Sequence, residues 1–321
     1  MSPYLVQRTS NGAAPIALGC MNFGKRTARA DALKIVDRAL DAGVGLLDTA
    51  NVYNAGESER IVGDAVRKRR DGVLVATKVG AGRVGNQSEG LSPERVRLAC
   101  DESLKRLKID AIDLYYLHTP DPLTPPEATL EAIGGLLANG KIRHWGVSNY
   151  ASWQILQLRH LASTAGLPAP VVAQQLYNAL VRQLDVEYFK FTRAFPIHTT
   201  VYNPLAGGLL AGLHAPDGAA PKGGRFDGNP MYRRRYWHDA LFLATEALRA
   251  VAIREGLTLV ELAYAFVFQH PSVDSVLVGP GSLDHLDAAL AARSITLTDD
   301  ARNAIRDVYV ELVGTDASYA R

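Results

Sequence analysis

The sequence contains few cysteines and no secretion signal that can be recognised at its start. Only Cys20 and Cys100 occur in 321 residues, which is too few for a disulfide framework, and no Cys/His spacing suits a zinc site. The first eight residues lack a cationic segment followed by an apolar stretch, so no signal peptide is expected. We therefore expect a cytoplasmic protein without a metal centre.

Long apolar runs and a strong charge of one sign are also missing. No run approaches the roughly 18 residues that a membrane-spanning helix needs, and the formal net charge is only +2. Neither a membrane nor nucleic acid is therefore expected as the main partner. The composition, 47% hydrophobic and 21% charged, is sufficient for a large buried core.

Short apolar strands alternate with helical patterns along the whole chain. This alternation, with eight strands, predicts a (β/α)8 TIM barrel with long loops at its C-terminal face. The whole chain, residues 1–321, is expected to form a single domain. A doubly wound sheet is the competing architecture. The predicted strands are 16–19, 44–48, 73–77, 113–117, 142–147, 171–175, 198–202 and 275–278. The predicted helices are 29–41, 59–68, 93–107, 127–138, 152–161, 186–194, 240–255, 259–269 and 283–292. Residues 203–230 are predicted to form a long irregular connection.

Polar or ionisable residues follow nearly every predicted strand. Asp48, Lys78 and His118 end three of the apolar runs. An ammonium at the end of a buried strand is costly without a carboxylate, so Lys78 is expected to pair with Asp48. Exposure to solvent would explain the presence of other polar residues at strand ends, but it explains Lys78 and Asp48 poorly. The further residues at strand ends are Ser148, Asn149, Gln174, Gln175, Tyr202, Asn203 and Gly279.

Tyr53 lies five positions after Asp48, close enough for its hydroxyl to reach the same rim. An adjacent ammonium is expected to lower the pKa of the phenol from its usual ~10 toward working pH. Together with a neutral His118 that orients a carbonyl oxygen, Tyr53 would then protonate that oxygen as hydride arrives. Alone, Tyr53 would be an ordinary loop aromatic and His118 a buried structural histidine.

Three motif matches point to other functions. The G-x-G-x-x-G match at 80–85 is too far from the helix expected near Pro93 for a pyrophosphate site, and the P-loop-like run 19–25 is followed by Arg26 where a Ser or Thr would hold Mg²⁺. The Arg- and Tyr-rich run 231–237 could stack nucleic-acid bases. One such run in a nearly neutral chain favours the edge of a substrate pocket instead.

The four residues Asp48, Tyr53, Lys78 and His118 match the catalytic tetrad of the aldo-keto reductase superfamily, which the sequence resembles over nearly its whole length. Within that superfamily it is most similar to the aflatoxin aldehyde and succinic semialdehyde reductases. The segments that carry the resemblance are 19–24, 140–150, 203–210, 224–226, 232–237 and 318–321.

The resemblance implies NADPH bound in extended form across the barrel mouth. Ser148, Asn149 and Gln174 would then hold the carboxamide, and Tyr202 would stack on the nicotinamide. The pyrophosphate would lie against the backbone of Asn203, Pro204, Leu205, Gly207 and Leu209, and the adenosine end against Gly279, Gly281, Ser282 and His285. NADH is the less expected cofactor, although no Arg lies within 279–289 and a 2′-phosphate usually attracts one.

The resemblance also implies a substrate and an activity. Met21 and Asn22 follow the first strand and are expected to line the pocket beside Tyr53 and His118. Arg233 or Arg235, after the long loop, could bind a substrate carboxylate there, with a solvated helix start as the alternative, and the resemblance adds the family's C-terminal arginine, here Arg321. The expected reaction is the reduction of aldehydes or ketones, especially small, dicarbonyl or carboxylated aldehydes such as succinic semialdehyde, by a monomer or homo-oligomer. The alternative is a nicotinamide-binding regulatory subunit resembling the potassium-channel β subunits.

Overall fold

The computed structural model describes residues 8–67, 69–216, 218, 220 and 222–315. The strands are β1 (Ile16–Gly19), β2 (Leu46–Asp48), β3 (Leu74–Val79), β4 (Arg83–Val84), β5 (Gln87–Ser88), β6 (Ile112–Leu117), β7 (Ile142–Ser148), β8 (Val172–Leu176), β9 (His198–Tyr202) and β10 (Ser275–Val278). All of them except β4 and β5 are parallel and close into an eight-stranded barrel, in the order β1, β10, β9, β8, β7, β6, β3, β2. The closed sheet confirms the predicted TIM barrel and excludes the doubly wound alternative.

Helices surround the barrel and cover its outer face. They are α1 (Arg29–Asp41), α2 (Glu57–Val66), α3 (Pro93–Leu107), α4 (Pro126–Ala138), α5 (Ser152–Thr164), α6 (Tyr188–Ala194), α7 (Pro230–Tyr236), α8 (Asp239–Arg254), α9 (Leu259–Phe268), α10 (Leu283–Ala292) and α11 (Asp299–Val313). Local chemistry sets several helix ends. At α3, for example, the Ser92 side chain accepts from the Arg95 N–H and Pro93 occupies the first turn.

The barrel has a small interior and a large outer core. Ala76, Leu114, Tyr116 and Val172 fill the interior, while the outward faces of the strands pack against the helices in a much larger cluster. Because side chains alternate between the two faces of a strand, every second residue of β2, β3, β6 and β8 points inward. The last inward positions lie at the C-terminal rim, where TIM-barrel chemistry is found.

Several elements differ from the sequence prediction. The predicted loop after β3 contains the short antiparallel hairpin β4–β5, and the predicted irregular stretch 203–230 contains a 3₁₀ helix, Ala206–Ala211. Helices α7 and α11 were not predicted, since the alternation of strand and helix does not require them. Helix α11 packs on α8 and buries Ala301 and Ile305. Among the described residues, no helix has both the length and the hydropathy to span a membrane.

Candidate active site

The inward alternation of four strands brings four polar side chains to the C-terminal rim. Each lies two positions after an inward apolar residue of the same strand, as Lys78 follows Ala76 on β3. The set comprises Asp48, Lys78, His118 and Gln174. The parallel register places Asp48 opposite Ala76. Lys78 is the next inward residue of β3 after Ala76, so its side chain lies closer to the C-terminal end of the barrel than the Asp48–Ala76 pair. The geometry follows directly from the period of two.

The expected ion pair between Lys78 and Asp48 is present and fully enclosed. The Lys78 and Asp48 side chains are 0% and 1% exposed. The Lys78 ammonium bonds Asp48 Oδ1 and also donates to the Thr49 carbonyl oxygen at 2.7 Å. The second oxygen of Asp48 accepts from Gln174 Nε2 at 2.9 Å, across the barrel. Such additional hydrogen bonds are what a desolvated ion pair requires.

Tyr53, in the loop after β2, lies next to the ion pair of Lys78 and Asp48. Lys78 Nζ lies 5.3 Å from the centroid of the Tyr53 ring, and the Tyr53 and His118 rings meet edge to face with centroids 5.7 Å apart. The next residue, Asn54, has a left-handed φ of 51°, and its amide donates to the Met21 and Phe23 carbonyl oxygens at 3.0 and 2.6 Å. These bonds hold the loop in place.

The prediction that Lys78 lowers the pKa of Tyr53 was wrong. Burial raises the pKa of Tyr53 well above its ordinary value, and the charge of Asp48 adds to the rise, while Arg225 opposes it. The Lys78 ammonium favours the phenolate, but burial removes the water that would hydrate the phenolate, and this loss of hydration is the larger effect. Tyr53 is therefore a protonated phenol at neutral pH.

His118 is neutral, as expected. Burial and, to a smaller extent, the Lys78 charge together lower the pKa of His118 to about 3. Its Nδ1 atom is buried without a hydrogen-bond partner among the described residues. A neutral imidazole carries one N–H donor and one acceptor, so this ring can bind the oxygen of a ligand without contributing charge.

Asn149 joins the polar residues next to His118. Its amide nitrogen donates to the His118 carbonyl oxygen at 2.9 Å and to Ser148 Oγ at 3.1 Å, and its oxygen accepts from the Tyr202 hydroxyl at 2.7 Å. Asn149 adopts a left-handed φ of 65°. The structure thus brings together Ser148, Asn149 and Tyr202. Gln174 lies opposite Ser148 on β8, its carbonyl oxygen accepts from the Asn149 N–H at 3.1 Å, and its side chain donates to Asp48.

The loop after β9 curls tightly. Asn203, Ala206 and Gly207 have φ values of 66°, 50° and 71°. The N–H of Gly207 donates to Asn203 Oδ1 at 2.7 Å, and the N–H of Gly208 donates to the Leu205 carbonyl oxygen at 2.8 Å. Pro204 continues the chain from Asn203, and Leu209 is buried in a core cluster beneath the loop. Of the residues expected to face a pyrophosphate, Gly207 therefore has an N–H group that already finds its acceptor within the loop.

The end of β10 lies next to the first loop. Asn22 Nδ2 donates to the Gly279 carbonyl oxygen at 3.2 Å. Ser282 caps α10 by accepting from the His285 N–H at 3.3 Å, and His285 Nδ1 accepts from the Gly281 N–H at the same distance. The four residues predicted for the adenosine end are thus together at the start of α10.

Sequence reasoning missed one cation at the mouth, Arg225. Its guanidinium donates to Asn22 Oδ1 at 2.9 Å and lies 3.3 Å from Met21 Sδ, and it lies over the Tyr232 ring at 5.3 Å. The signal was available, since 224–226 is one of the segments that resemble the family. Arg225 thus contacts both residues predicted to line the pocket.

The other predicted arginines lie farther along α7 or outside the described residues. Arg233 lies over the Trp237 ring at 5.2 Å and donates to the Phe226 carbonyl oxygen at 3.2 Å. Arg235 lies 5.9 Å from the Tyr232 ring centroid and acts to lower the pKa of Tyr202, although burial raises that pKa overall. Arg321 is outside the described residues.

Comparison with known families decides the assignment of this barrel and its rim. The model of the aldo/keto reductase family matches residues 15–310. The chain belongs to the aldo/keto reductase family. Membership makes this aldo/keto reductase a nicotinamide-dependent oxidoreductase, as expected from the sequence.

Curated relatives cover most of this aldo/keto reductase. Human aldo-keto reductase family 7 member A3 is 34% identical over 301 residues, which are 89% of this chain and 90% of the relative. Human aflatoxin B1 aldehyde reductase member 2 is 36% identical, over 86% of this chain and 80% of the relative. A probable voltage-gated potassium channel subunit beta from Oryza sativa subsp. japonica is 32% identical, over 81% of this chain and 80% of the relative.

Proposed function

We propose that the protein reduces aldehydes, and also ketones, to alcohols with NADPH, and that Tyr53 is the proton donor. The observation that carries the proposal is the shared contact of Tyr53, which has the Lys78 ammonium 5.3 Å and the His118 ring 5.7 Å from its own ring centroid. A carbonyl oxygen beside Tyr53 would therefore have two neutral donors and one cation around it. Charge on that oxygen develops as reduction proceeds, and this arrangement stabilises it.

Each residue has a defined task in this reaction. Bound NADPH would supply the hydride to the carbonyl carbon. The Tyr53 hydroxyl retains its proton because burial raises its pKa, and it transfers that proton to the carbonyl oxygen as negative charge builds there. His118 stays neutral because burial lowers its pKa to about 3, so it orients the oxygen by hydrogen bonding. Lys78 stabilises the phenolate that Tyr53 becomes, until a proton from solvent restores it.

The residues of the rim fit the nicotinamide end of the cofactor. His118 Nδ1 is buried and unpartnered in the described part of the chain, so the site has polar capacity that the protein itself does not use. Ser148, Asn149 and Gln174 would hold the carboxamide, and the Tyr202 ring, anchored by Asn149, would stack on the nicotinamide. The 203–209 loop would follow the pyrophosphate, with the Gly279, Gly281, Ser282 and His285 cluster at the adenosine end.

Small and carboxylated aldehydes are the proposed substrates. Met21 and Asn22 would line the pocket, the Arg225 guanidinium contacts both, and Arg233 and Arg235 lie on α7. A guanidinium binds a carboxylate in a planar, two-point geometry. The relatives include human aflatoxin B1 aldehyde reductase member 2, which supports an aldehyde as the reacting group.

A regulatory subunit is the second candidate. The observation in its favour is the 32% identity to a probable potassium channel subunit beta. Such a sensor would bind NADPH but turn over slowly, whereas a metabolic reductase would turn over with common aldehydes. The somewhat higher identity to the reductases, 34% and 36%, favours the enzyme.

The experiment is a turnover assay with the matched variant Tyr53→Phe. Loss of one positioned proton donor should lower kcat by about 10²- to 10⁴-fold, while a fluorescence titration with NADPH should give nearly the same Kd. NADH in place of NADPH should bind more weakly, and carboxylated aldehydes should have a higher kcat/KM than neutral ones of equal length. An unchanged kcat in Tyr53→Phe would defeat the proton-donor assignment, and negligible turnover by the parent with every aldehyde would favour the sensor.

A further inference from the structure

A buried carboxylate outside the rim connects the loop that carries Tyr53 with the segment that follows Lys78 at the end of β3. Glu89 lies between the β4–β5 hairpin and α3 and is only 8% exposed. Its two oxygens accept from four N–H donors: Gly80 N, Gly82 N, Asn51 Nδ2 and Arg95 Nε. A buried carboxylate with this many donors is held firmly, since any donor that loses it is left unsatisfied.

Two of the donors belong to the chain that follows Lys78. The Gly80 and Gly82 N–H groups donate to Glu89 Oε2 at 2.8 and 3.1 Å. The approach is close enough that a Cβ on Gly82 would meet Oε2 at 2.9 Å. Gly80 itself has a φ of +109°. Glu89 therefore fixes the end of β3 just after Lys78.

The third donor belongs to the chain that precedes Tyr53. Asn51 Nδ2 donates to Glu89 Oε1 at 2.6 Å, and the backbone N–H of Asn51 donates to the Lys78 carbonyl oxygen at 3.2 Å. Asn51 is thus joined to β3 directly and to the segment after β3 through Glu89. The position of Tyr53 relative to Lys78 depends on both connections.

The fourth donor anchors Glu89 to the outer layer of the barrel. Arg95 Nε donates to Glu89 Oε1 at 3.0 Å, and the same guanidinium reaches Glu102 Oε2 at 2.8 Å. Both Arg95 and Glu102 lie on α3. The loops at the rim are thereby attached to a rigid helix rather than only to one another.

We infer that Glu89 is a positioning residue that sets the spacing of Tyr53 and Lys78 through Asn51, Gly80 and Gly82. The inference rests on the proposed function, in which Tyr53 gives the proton beside Lys78. Displacement of a reacting group by about 1 Å can cost about 10²-fold in rate. Glu89 itself does not touch the reacting atoms.

The test is the substitution Glu89→Gln. The new amide nitrogen is a donor, so in either orientation it faces two of the four N–H donors and cannot accept from them. We expect kcat to fall by about 10- to 100-fold, with the Kd for NADPH changed less than about threefold. The matched control is Glu131→Gln, which breaks the exposed pair of Arg97 with Glu131 at 2.8 Å and should leave kcat unchanged.

A comparison in the Tyr53→Phe background separates positioning from a general structural role. If Glu89 acts through Tyr53, the double variant Glu89→Gln/Tyr53→Phe should be no slower than Tyr53→Phe alone, because residues acting as one unit are not additive. A further loss of kcat in the double variant would overturn the inference. So would a parental kcat in Glu89→Gln while Tyr53→Phe is impaired.

A second substitution covers the case in which Glu89→Gln does not fold. Asn51→Leu removes the hydrogen bond between Glu89 and the Tyr53 loop and keeps the branched shape of the side chain. It should retain the parental circular dichroism spectrum and lose about 10-fold or more in kcat, whereas a parental kcat in this variant would overturn the inference. A parental kcat in Tyr53→Phe alone would instead show that the proposed function has failed, so the two failures are distinguishable.

Discussion

Replacement of Lys78 by methionine should destabilise the protein strongly, because it removes the cation and leaves Asp48 buried. The Asp48 side chain is 1% exposed and would keep the hydrogen bond from Gln174. Removal of one partner of a buried ion pair costs about 3–5 kcal/mol. We therefore expect the free energy of unfolding to fall by this amount, and Tm to fall on the order of 10 °C.

The measurement is equilibrium unfolding in urea, followed by circular dichroism. The matched control is Lys34→Met, because Lys34 makes an exposed pair with Asp31 at 3.5 Å, with the two side chains 66% and 61% exposed. Exposed pairs contribute about 0–1 kcal/mol. A loss of less than about 1 kcal/mol in Lys78→Met, no larger than in the control, would refute the buried-pair argument.

A second substitution in the same background tests the cause of the loss. If an uncompensated carboxylate is responsible, Asp48→Asn should restore part of the stability of Lys78→Met, since the neutral amide avoids a buried charge. The sum of the stability losses of the two single variants would then exceed the stability loss of the double variant. Additive losses would mean that packing around the lysine stem, rather than charge, is what the methionine disturbs.

Two other properties of the site can be tested directly. Since burial lowers the pKa of His118 to about 3, the unfolded chain binds a proton below about pH 6.5 that the folded chain does not. Stability should therefore decrease as pH falls from about 6.5 toward 3, and His118→Gln should reduce this slope by up to about 1.4 kcal/mol per pH unit. Equal slopes in the parent and in His118→Gln would contradict the assignment. Gly207→Ala should raise the Kd for NADPH by about tenfold, because the new Cβ would lie 2.8 Å from the Tyr232 ring. The control Gly223→Ala should leave the Kd unchanged, because Gly223 has a similar φ of +74° and no atom within 4 Å of its new Cβ. Equal Kd values in the two variants would contradict the role of the loop after β9.

The fold was largely predictable because the barrel imposes a strict rhythm on the sequence. Helix α1 and strands β1, β9 and β10 have the bounds that periodicity predicted. Helix α11 was not predicted because it lies beyond the last βα unit, where it packs against α8. Hairpin β4–β5 escaped because its strands are only two residues long.

The ion pair of the site was predictable, but the protonation of Tyr53 was not. A cation at the end of an apolar strand requires a carboxylate on the neighbouring strand, and Asp48 was an obvious choice for Lys78. The direction of the Tyr53 pKa shift depends on how much water the folded loops exclude, which no local pattern contains. The role of Glu89 also depends on contacts between segments that are distant in the sequence.

Burial gives the two proposed donors opposite pKa shifts with the same result. It raises the pKa of Tyr53 and lowers that of His118, so both residues are uncharged over the whole range near neutral pH. The rim then holds one charged pair, already compensated, and two neutral donors. Because the phenolate form of Tyr53 is poorly solvated, it would be short-lived after proton transfer and would regain a proton readily. The burial that raises the pKa of Tyr53 would therefore also favour the return of its proton after each reduction.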